Sequence, residues 1–265
     1  MKNILTFDIE DWFHPFYGEN QIQKNNWNEY SSKIDIMVDE ILEILDNHKF
    51  KATFFVLGWF CKNHKDLLKK IIQNGHEIAS HGYWHREVYK QKPDEFLKDI
   101  LLAKNELEDA TGISIKGYRA PGYSINMNMT WAIDKIKEAG YIYDSSLLDF
   151  KENISFLENG LLEFAPNSIK IFKRNFPTNG GFFFRIVPWF FYKFYLKNLN
   201  KRNKKLIFYT HSWEVLDVDE KLELKGKKNF IQYYNIKNVN KKLKKMFRYT
   251  EFQKIEEYLH ELNKN

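Results

Sequence analysis

Four clusters of polar residues hold the side chains of this chain that could do chemistry, and each cluster directly follows a short apolar run. The clusters are Asp8-Ile9-Glu10-Asp11, His81-Gly82-Tyr83-Trp84-His85, Arg119-Ala120-Pro121-Gly122-Tyr123 and Thr210-His211-Ser212-Trp213. If the apolar runs are strands of one parallel sheet, their carboxyl ends lie on the same rim. The shared placement therefore predicts one site that draws on all four clusters.

The spacing of His81 and His85 suits a metal ion. Residues four positions apart lie on one side of a helical turn, where two imidazole nitrogens can reach one ion. Histidines at this spacing are also common as surface or capping residues. The carboxylates of Asp8, Glu10 and Asp11 favour the metal, since a face of two histidines and one carboxylate leaves coordination positions open for water and substrate.

Each carboxylate of the first cluster also has a purely structural interpretation. Asp11 could cap the following segment, Glu10 could face solvent, and one of the three could form a plain ion pair with Arg119. Carboxylates at the end of an apolar strand are costly to leave unpaired. A partner for them is therefore expected, and the first cluster alone does not say whether that partner is a metal.

Arg119 and His211 complete the set of candidates. Pro121 makes residue 120 extended, so Arg119 lies at a defined strand exit, where it can hold a carboxylate in one orientation and keep it ionised. His211 ends a late apolar strand. A single histidine is more often a core or surface residue, but its place on the same rim makes His211 a candidate general acid.

Strands and helices alternate through the first half of the chain. Apolar runs predict strands, and apolar residues at offsets of three, four, seven and eight predict helices. The predicted strands are residues 3–8, 52–57, 76–80, 116–119, 141–144 and 206–210, and the predicted helices are residues 32–48, 65–74, 93–110, 130–139 and 251–262. This order predicts a parallel sheet with helices outside it. Residues 145–200 are expected to be irregular, and residues 1–265 to form a single domain.

Composition narrows the class of protein. Apolar residues make up 43% of the chain and aromatic residues 17%, which is ample for a sizeable core. The formal net charge of +6 comes largely from lysine runs in the last third. Such runs are usually solvated, but they also favour an anionic partner such as a phospholipid surface or a diphosphate-linked glycan. No arginine–aromatic signature accompanies them, so a nucleic-acid partner is not expected.

Location and redox state follow from two further features. Acidic residues stand near the N-terminus where a signal peptide needs an apolar stretch, and no run of about 18 apolar residues could span a bilayer. We therefore expect a cytoplasmic protein, and its single cysteine, Cys61, excludes an internal disulfide. Residues 182–205 combine aromatic and basic side chains. They could lie on the inner membrane face, but burial of the aromatic face as a helix covering the barrel is favoured.

Together the motifs resemble those of the polysaccharide deacetylase superfamily, also called the NodB-homology or carbohydrate esterase family 4 group. Residues 6–11 resemble its first motif, residues 80–85 its His-x-x-x-His metal motif, residues 119–123 its Arg-x-Pro motif and residues 209–211 its final histidine motif. Residues 144–147 and 179–185 resemble segments of its exopolysaccharide-associated branch. The resemblance covers nearly the whole chain, with the motifs in the same order.

The resemblance implies a fold, a cofactor and residue roles. The implied fold is a distorted, incomplete (β/α) barrel, and the implied cofactor is a divalent metal, usually zinc. Carried over residue by residue, Asp8 is the general base, His81 and His85 are metal ligands, Arg119 orients Asp8, and His211 is the general acid. Many members have two adjacent aspartates in the first motif, whereas Ile9 follows Asp8 here. The third ligand is therefore either Glu10, on the same strand face as Asp8, or Asp11.

The implied reaction is removal of an N-acyl group, typically acetyl, from an amino sugar of a glycan or glycan precursor, free or linked to a lipid or nucleotide. The N–H of Gly122 would stabilise the oxyanion, and Glu214 or Asp144 could orient His211. The rings of Trp84, Tyr123 and Trp213 would stack on sugar or simply pack. Two alternatives remain: a deformylase or other amidohydrolase on the same scaffold, and a non-catalytic glycan-binding protein.

Overall fold

The computed structural model describes residues 2–15, 24–148, 153–171, 174–262 and 264. Its strands are β1 (Asn3–Ile9), β2 (Thr53–Val56), β3 (Glu77–Ser80), β4 (Gly117–Tyr118), β5 (Tyr143–Asp144), β6 (Ile154–Phe156), β7 (Leu162–Phe164), β8 (Ser168–Ile171), β9 (Arg174–Pro177), β10 (Ile207–His211) and β11 (Phe252–Gln253). Its helices are α1 (Ile34–His48), α2 (Lys65–Gln73), α3 (Pro93–Thr111), α4 (Thr130–Glu138), α5 (Gly181–Ile186), α6 (Trp189–Lys201), α7 (Ser212–Val215), α8 (Gly226–Tyr233), α9 (Val239–Phe247) and α10 (Ile255–Leu262).

The chain divides into two compact units, of which the first comprises Met1–Ala52 and Asn179–Asn265. Strand β1 is at its centre and pairs in parallel with β10 and with β11. All seven residues of β1 are buried, as expected for a parallel strand whose two faces are both covered. The β1–β10 register places Asp8 opposite His211, so two of the four sequence clusters are neighbours in this unit.

Helix α1 covers part of this unit because its apolar residues recur on one face. Ile34, Met37, Val38, Ile41 and Leu45 are all buried. The helix packs against α7, and Met37 joins the ring of Trp213 in one apolar cluster. Packing of α1 therefore holds the short segment that follows β10.

The second unit comprises Thr53–Thr178. Its main strands follow the order β2-β3-β4-β5-β7-β6, in which β6 is antiparallel to β7 and the other pairs are parallel. Strands β8 and β9 form a separate antiparallel pair. Ser80 pairs with Tyr118, so His81 and Arg119, which directly follow β3 and β4, leave the sheet side by side.

The strong sequence patterns are confirmed, with small changes at their ends. Helices α1 to α4 and strands β1, β2, β3 and β10 lie where periodicity predicts them. Strands β4 and β5 are only two residues long, shorter than the predicted four. Apolar patterning identifies a strand by its buried side chains, whereas strand length depends on the hydrogen bonds that the neighbour offers.

Two parts of the secondary-structure prediction are wrong. Residues 145–200 are not irregular, because their described part contains β6 to β9, α5 and α6. Four of these elements are strands of three or four residues, too short for a recognisable alternation. The last helix begins at Ile255 rather than at residue 251, because Phe252–Gln253 pairs with the start of β1.

No helix within the described ranges combines the length and the apolarity that crossing a bilayer requires.

Candidate active site

Asp8 and His211 lie opposite each other at the ends of β1 and β10. Asp8 is buried, and its charge is one of those that raise the pKa of His211. Side chains of paired residues in adjacent strands point to the same face of the sheet. The first and last clusters therefore present a carboxylate and an imidazole on one face of this unit.

Glu10 follows β1 and is held by the segment after β10. Its backbone N–H donates to Ser212 Oγ at 2.9 Å, and that hydroxyl donates back to the Glu10 carbonyl. Its carboxylate accepts a hydrogen bond from Trp213 Nε1 at 3.2 Å and lies 3.9 Å from His211 Nε2. Glu10 is 3% exposed, so the interpretation that it faces solvent is wrong.

The carboxylate of Asp11 bonds to the residues that precede α1. It accepts hydrogen bonds from the N–H groups of Trp12 and Lys33 and from the hydroxyl of Ser32. Ser32 and Lys33 directly precede α1, so Asp11 secures the entry to that helix. The structural interpretation, in which Asp11 caps the following segment, agrees with these contacts, and they occupy both carboxylate oxygens.

A buried chain of charged groups orients His211. Its Nδ1 bonds to Glu214 Oε2 at 2.8 Å, and Glu214 Oε1 forms an ion pair with Arg185 Nε at 2.6 Å. The guanidinium of Arg185 also donates to the carbonyls of Ile231, Gln232 and Tyr234. Of the two orienting residues considered from sequence, Glu214 is therefore the one bonded to His211.

This chain of contacts sets the charge of His211. Burial acts to lower the pKa of His211, but the carboxylates of Glu10 and Glu214 outweigh it and raise the pKa to about 9. Burial acts to raise the pKa of Glu214, but Arg185 and His211 lower it to about 2. These charges favour the protonated imidazolium of His211, whose Nδ1 is directed at Glu214 and whose Nε2 lies towards Glu10.

The ring of Trp213 packs flat against His211, with centroids 4.9 Å apart and planes at 15°. Its indole N–H is bonded to Glu10, and the residue is 8% exposed. Trp213 therefore contacts both ionisable groups on this face and restricts their rotation.

His81 and His85 lie together in the second unit, but not on a helical turn. Residues 81–87 form an irregular loop in which Gly82 has a φ of 76° and His85 a φ of 51°. The helical basis for pairing them is therefore wrong, although the rings are neighbours, with centroids 5.4 Å apart. His81 Nδ1 bonds to the Arg119 carbonyl at 2.8 Å, and a carbonyl can only accept, so the lone pair of the neutral ring is on Nε2.

Arg119 is fully buried, and the segment after β5 holds it. Its Nε and Nη2 donate to the carbonyl and hydroxyl of Ser145, at 3.2 Å and 2.8 Å. The guanidinium lies 4.0 Å from the ring centroid of Phe55 and 5.5 Å from that of Tyr123. These contacts fix the orientation of the cation.

Two buried carboxyl groups support the same segment. Asp144 Oδ1 accepts from Ser146 Oγ at 2.6 Å, and Glu163 Oε1 accepts from the Leu147 N–H at 3.0 Å. Burial raises the pKa of Asp144 to about 6, and burial together with the Asp144 charge raises the pKa of Glu163. Asp144 thus stabilises the loop that holds Arg119.

The remaining candidates lie on loops of the second unit. Gly122 is exposed with a φ of 62°, and Tyr123, half-buried, has a φ of 52°. Trp84 is half-buried and packs edge-on against Tyr83, with centroids 4.8 Å apart.

Three of the predicted residues could hold a metal ion together. Glu10, His81 and His85 each offer one ligand atom, and these atoms lie within 4.8 Å of one another. All three side chains are buried. One carboxylate oxygen and two imidazole nitrogens are ligands that Zn²⁺ accepts, and three protein ligands leave a position open. The donor set fits a catalytic divalent ion.

Two family models match the chain in succession. The model described as polysaccharide deacetylase matches residues 30–143, and a domain of unknown function, DUF3473, matches residues 145–260. Residues 30–143 therefore carry a polysaccharide deacetylase domain. The sequence motifs indicate the same superfamily, and the match confirms it for these residues.

Several deacetylases and deacetylase-like proteins are similar to part of the chain. The peptidoglycan deacetylase-like protein FGM2 of Gibberella zeae is 32% identical over 169 residues, covering 60% of this chain and 48% of that protein. The peptidoglycan-N-acetylglucosamine deacetylase PgdA of Listeria monocytogenes is 30% identical over 115 residues, covering 38% and 25%. The chain thus spans half or less of the length of these relatives.

Solved structures show the fold. A candidate polysaccharide deacetylase from Mycobacterium smegmatis superposes with a TM-score of 0.69 at 18% identity, over 98% of this chain and 89% of that one. BA3943, a carbohydrate esterase family 4 pseudoenzyme from Bacillus anthracis, gives 0.54 at 13% identity, over 97% and 65%. The prediction of a distorted, incomplete (β/α) barrel is confirmed.

The motifs did not identify the residues that support the site. Arg185 lies in a phenylalanine-rich stretch, far along the chain from the His211 and Glu214 that it serves. Only glycine at position 180 lets the chain approach β10 this closely, because a Cβ there would overlap the carbonyl oxygen of Tyr209. This close approach places Arg185 beside Glu214. The signals in the sequence were the Asn179-Gly180-Gly181 turn, the arginine four residues after it, and the resemblance of residues 179–185 to the exopolysaccharide-associated branch.

Proposed function

We propose that this chain is a divalent-metal-dependent hydrolase that removes the N-acetyl group of an amino sugar in a glycan or glycan precursor. The polysaccharide deacetylase domain of residues 30–143 supports the proposal, as do the names of the relatives, which include a chitooligosaccharide deacetylase of Bradyrhizobium. The observation that carries it is the clustering of the ligand atoms of Glu10, His81 and His85.

Glu10, His81 and His85 would hold the ion, and zinc is the metal we expect. Two features favour Glu10 over Asp11 as the carboxylate ligand, and the first is the clustering of its oxygen with a nitrogen of each histidine. The contacts of Asp11 with the entry to α1 already engage both of its oxygens. The hydrogen bond from His81 Nδ1 to a backbone carbonyl is a common support for a metal-bound histidine, since it fixes the ring and its tautomer. When bound, such an ion supplies Lewis-acid activation of water and of the amide carbonyl.

Asp8 would act as the general base. It is a buried carboxylate next to His211 in the strand register, and it can take a proton from the attacking water. Arg119, whose guanidinium Ser145 holds, would keep Asp8 ionised and oriented.

His211 would act as the general acid. The Glu214 carboxylate keeps the imidazole charged and directs its Nδ1 away from the reacting group, so Nε2 can donate a proton to the nitrogen of the departing amine. The N–H of Gly122 would stabilise the oxyanion, a contribution of about 3–4 kcal/mol for one donor in comparable sites. The rings of Trp84 and Tyr123 would contact the sugar. One face of Trp213 packs on His211, so Trp213 would contact the sugar only with the edge of its ring.

The test is acetate release from N-acetylated saccharides, offered free, lipid-linked and nucleotide-linked. We expect release that a chelator abolishes and zinc restores. Formate release from N-formyl sugars without acetate release would favour a deformylase on the same scaffold. Saccharide binding by the zinc-loaded protein, with no acyl group released from any of these substrates, would contradict the proposal in favour of a glycan-binding protein.

A further inference from the structure

The first unit carries an aromatic and basic surface that does not depend on the activity proposed above. Helix α6 turns three phenyl rings outward: Phe190, Phe191 and Phe194 are 76%, 60% and 67% exposed. The interpretation that the phenylalanines of residues 182–205 are buried as a helix cover is wrong for these three. Monomeric proteins rarely expose large contiguous apolar patches unless a partner covers them.

The body of α6 is firmly packed, so these exposures do not come from a loose helix. Tyr192, Leu196 and Leu199 point inward and are buried. The outward face continues from the three rings to Lys197 and Lys201, one and two turns further along. Phenyl rings followed by lysines on one face are typical of a helix that lies in a membrane interface. The rings enter the boundary of the acyl chains, and the ammonium groups stay at the headgroups.

A second basic surface adjoins α6. Lys237, Asn240, Lys241, Lys244, Lys245 and Arg248 line a surface groove of about 530 Å³ on α9 and the turn before it. The lining side chains are basic except for Asn240, whose amide donates to the carboxylate of Glu40 on α1. Such a lining attracts anions.

Direct contacts join the two elements. The rings of Trp189 and Tyr249 meet edge-on, with centroids 6.1 Å apart, and Lys193 Nζ lies 5.0 Å from the Tyr249 ring centroid. From α9, the buried ammonium of Lys242 donates to the carbonyls of Phe184 and Val187, at the junction before α6. The exposed phenylalanines of α6 and the basic groove of α9 therefore belong to one continuous part of this unit.

The charge pattern favours an anionic occupant over a second copy of this chain. Neither residues 181–205 nor residues 224–250 contain an aspartate or a glutamate, whereas both are rich in lysine. Two copies of such a surface would repel each other, because like charges would face one another across the interface. An anionic bilayer instead attracts basic residues and accepts aromatic rings at the same depth.

We propose that α6 and α9 together form a peripheral membrane-docking surface, in which Phe190, Phe191 and Phe194 enter the interface of a bilayer and the α9 groove binds anionic phospholipid headgroups. A single apolar helix end would bind weakly and reversibly, and the basic groove adds the second attraction that stable docking requires.

Vesicle co-sedimentation of the full chain tests this. Vesicles of phosphatidylcholine with phosphatidylglycerol should bind the protein, and vesicles of phosphatidylcholine alone should bind it far more weakly. The variant F190S/F191S/F194S should bind roughly tenfold or more weakly at any salt concentration. The variant K241A/K244A/K245A should lose on the order of a hundredfold and most of its salt dependence.

Matched controls remove trivial explanations. Phe156 is 71% exposed on β6, and Phe156→Ser should leave binding unchanged, as should K69A/K70A on α2. Circular dichroism and thermal unfolding verify that each variant is folded. Absence of wild-type binding to anionic vesicles would overturn the proposal. So would equal binding by the phenylalanine triple variant, or a wild-type dimer in sedimentation velocity that this variant dissociates.

Discussion

At the scale of single residues, each candidate has a neighbour that explains its state. Glu214 keeps His211 charged, Ser145 holds Arg119, and Ser212 and Trp213 hold Glu10. Asp8 and Asp11 are both buried carboxylates in one short segment, yet one lies beside an imidazole and the other secures a helix. Residue type alone does not assign these roles, whereas contacts do.

Replacement of Asp8 by Asn should separate metal binding from turnover. The amide cannot accept the proton of the attacking water, so we expect acetate release to fall by about 10²–10⁴-fold. Asp8 is not among the proposed ligands, so zinc content by elemental analysis should stay at the wild-type level. Retention of the wild-type rate would show that Asp8 is not the base.

Glu10→Gln and Asp11→Asn form a matched pair for the third ligand. Glu10→Gln should lose zinc affinity by at least the roughly 10–100-fold seen when only the support of a ligand is removed. Asp11→Asn should keep zinc affinity and lower the free energy of unfolding, since it weakens the hydrogen bonds at the entry to α1. Zinc titration and urea unfolding of both variants measure these effects, and the reverse pattern would assign the ligand to Asp11.

At the scale of elements, buried ionic contacts link segments that are distant in sequence. Arg185 on α5 is paired with Glu214 on α7 and bonded to the carbonyls at the end of α8. In the second unit, Asp144 at the end of β5 and Glu163 on β7 support the loop that carries Ser145. Each contact joins a piece of the site to an element that carries no motif.

Glu214→Gln should destabilise the chain by about 3–5 kcal/mol, because it leaves the buried guanidinium of Arg185 without its counter-charge. Urea unfolding measures the change. The double variant R185M/E214Q should be more stable than Glu214→Gln alone, since it removes the unpaired charge. A single variant with wild-type stability would show that the pair is dispensable.

The raised pKa of Asp144 predicts how the free energy of unfolding depends on pH. Its pKa rises from about 3.8 to about 6 on folding, so the folded chain binds this proton more tightly than the unfolded chain. The contribution of Asp144 to stability is therefore complete below pH 3.8 and is lost as the pH rises through about 6. Asp144→Asn should make the free energy of unfolding less dependent on pH between these values, and the dependence that remains belongs to Glu163, whose pKa burial also raises.

Urea unfolding over this pH range makes the comparison. Glu158→Gln removes an exposed carboxylate of the same unit and should keep the wild-type slope. An unchanged slope in Asp144→Asn would mean that another group is responsible for the pH dependence.

At the scale of the whole molecule, metal binding should be part of stability. A ligand that binds only the folded chain stabilises it by about 2.7 kcal/mol at a concentration of about a hundred times its Kd. Zinc should therefore raise the unfolding temperature and a chelator should lower it. The shift should be absent in Glu10→Gln and present in Asp11→Asn. An equal shift in both variants would place the stabilising ion elsewhere.

Local sequence determined the elements and the motif positions. The helices α1 to α4 follow from apolar periodicity, and Asp8, His81, Arg119 and His211 lie at strand ends because each directly follows a buried apolar run. Both features depend on residues close in the chain, so a pattern can reveal them. The resemblance of four ordered motifs added the family and the fold.

Only the tertiary structure favours Glu10 over Asp11 as the proposed ligand. It also shows Glu214 rather than Asp144 as the partner of His211, with Arg185 bonded to Glu214. These choices depend on contacts between residues up to about two hundred positions apart, such as Glu10 with Ser212, and no local pattern records them. The same holds for α6. Its periodicity predicts an apolar face but does not say which side the rest of the chain covers, and the packing of Tyr192 and Leu196 leaves Phe190 and Phe194 outside.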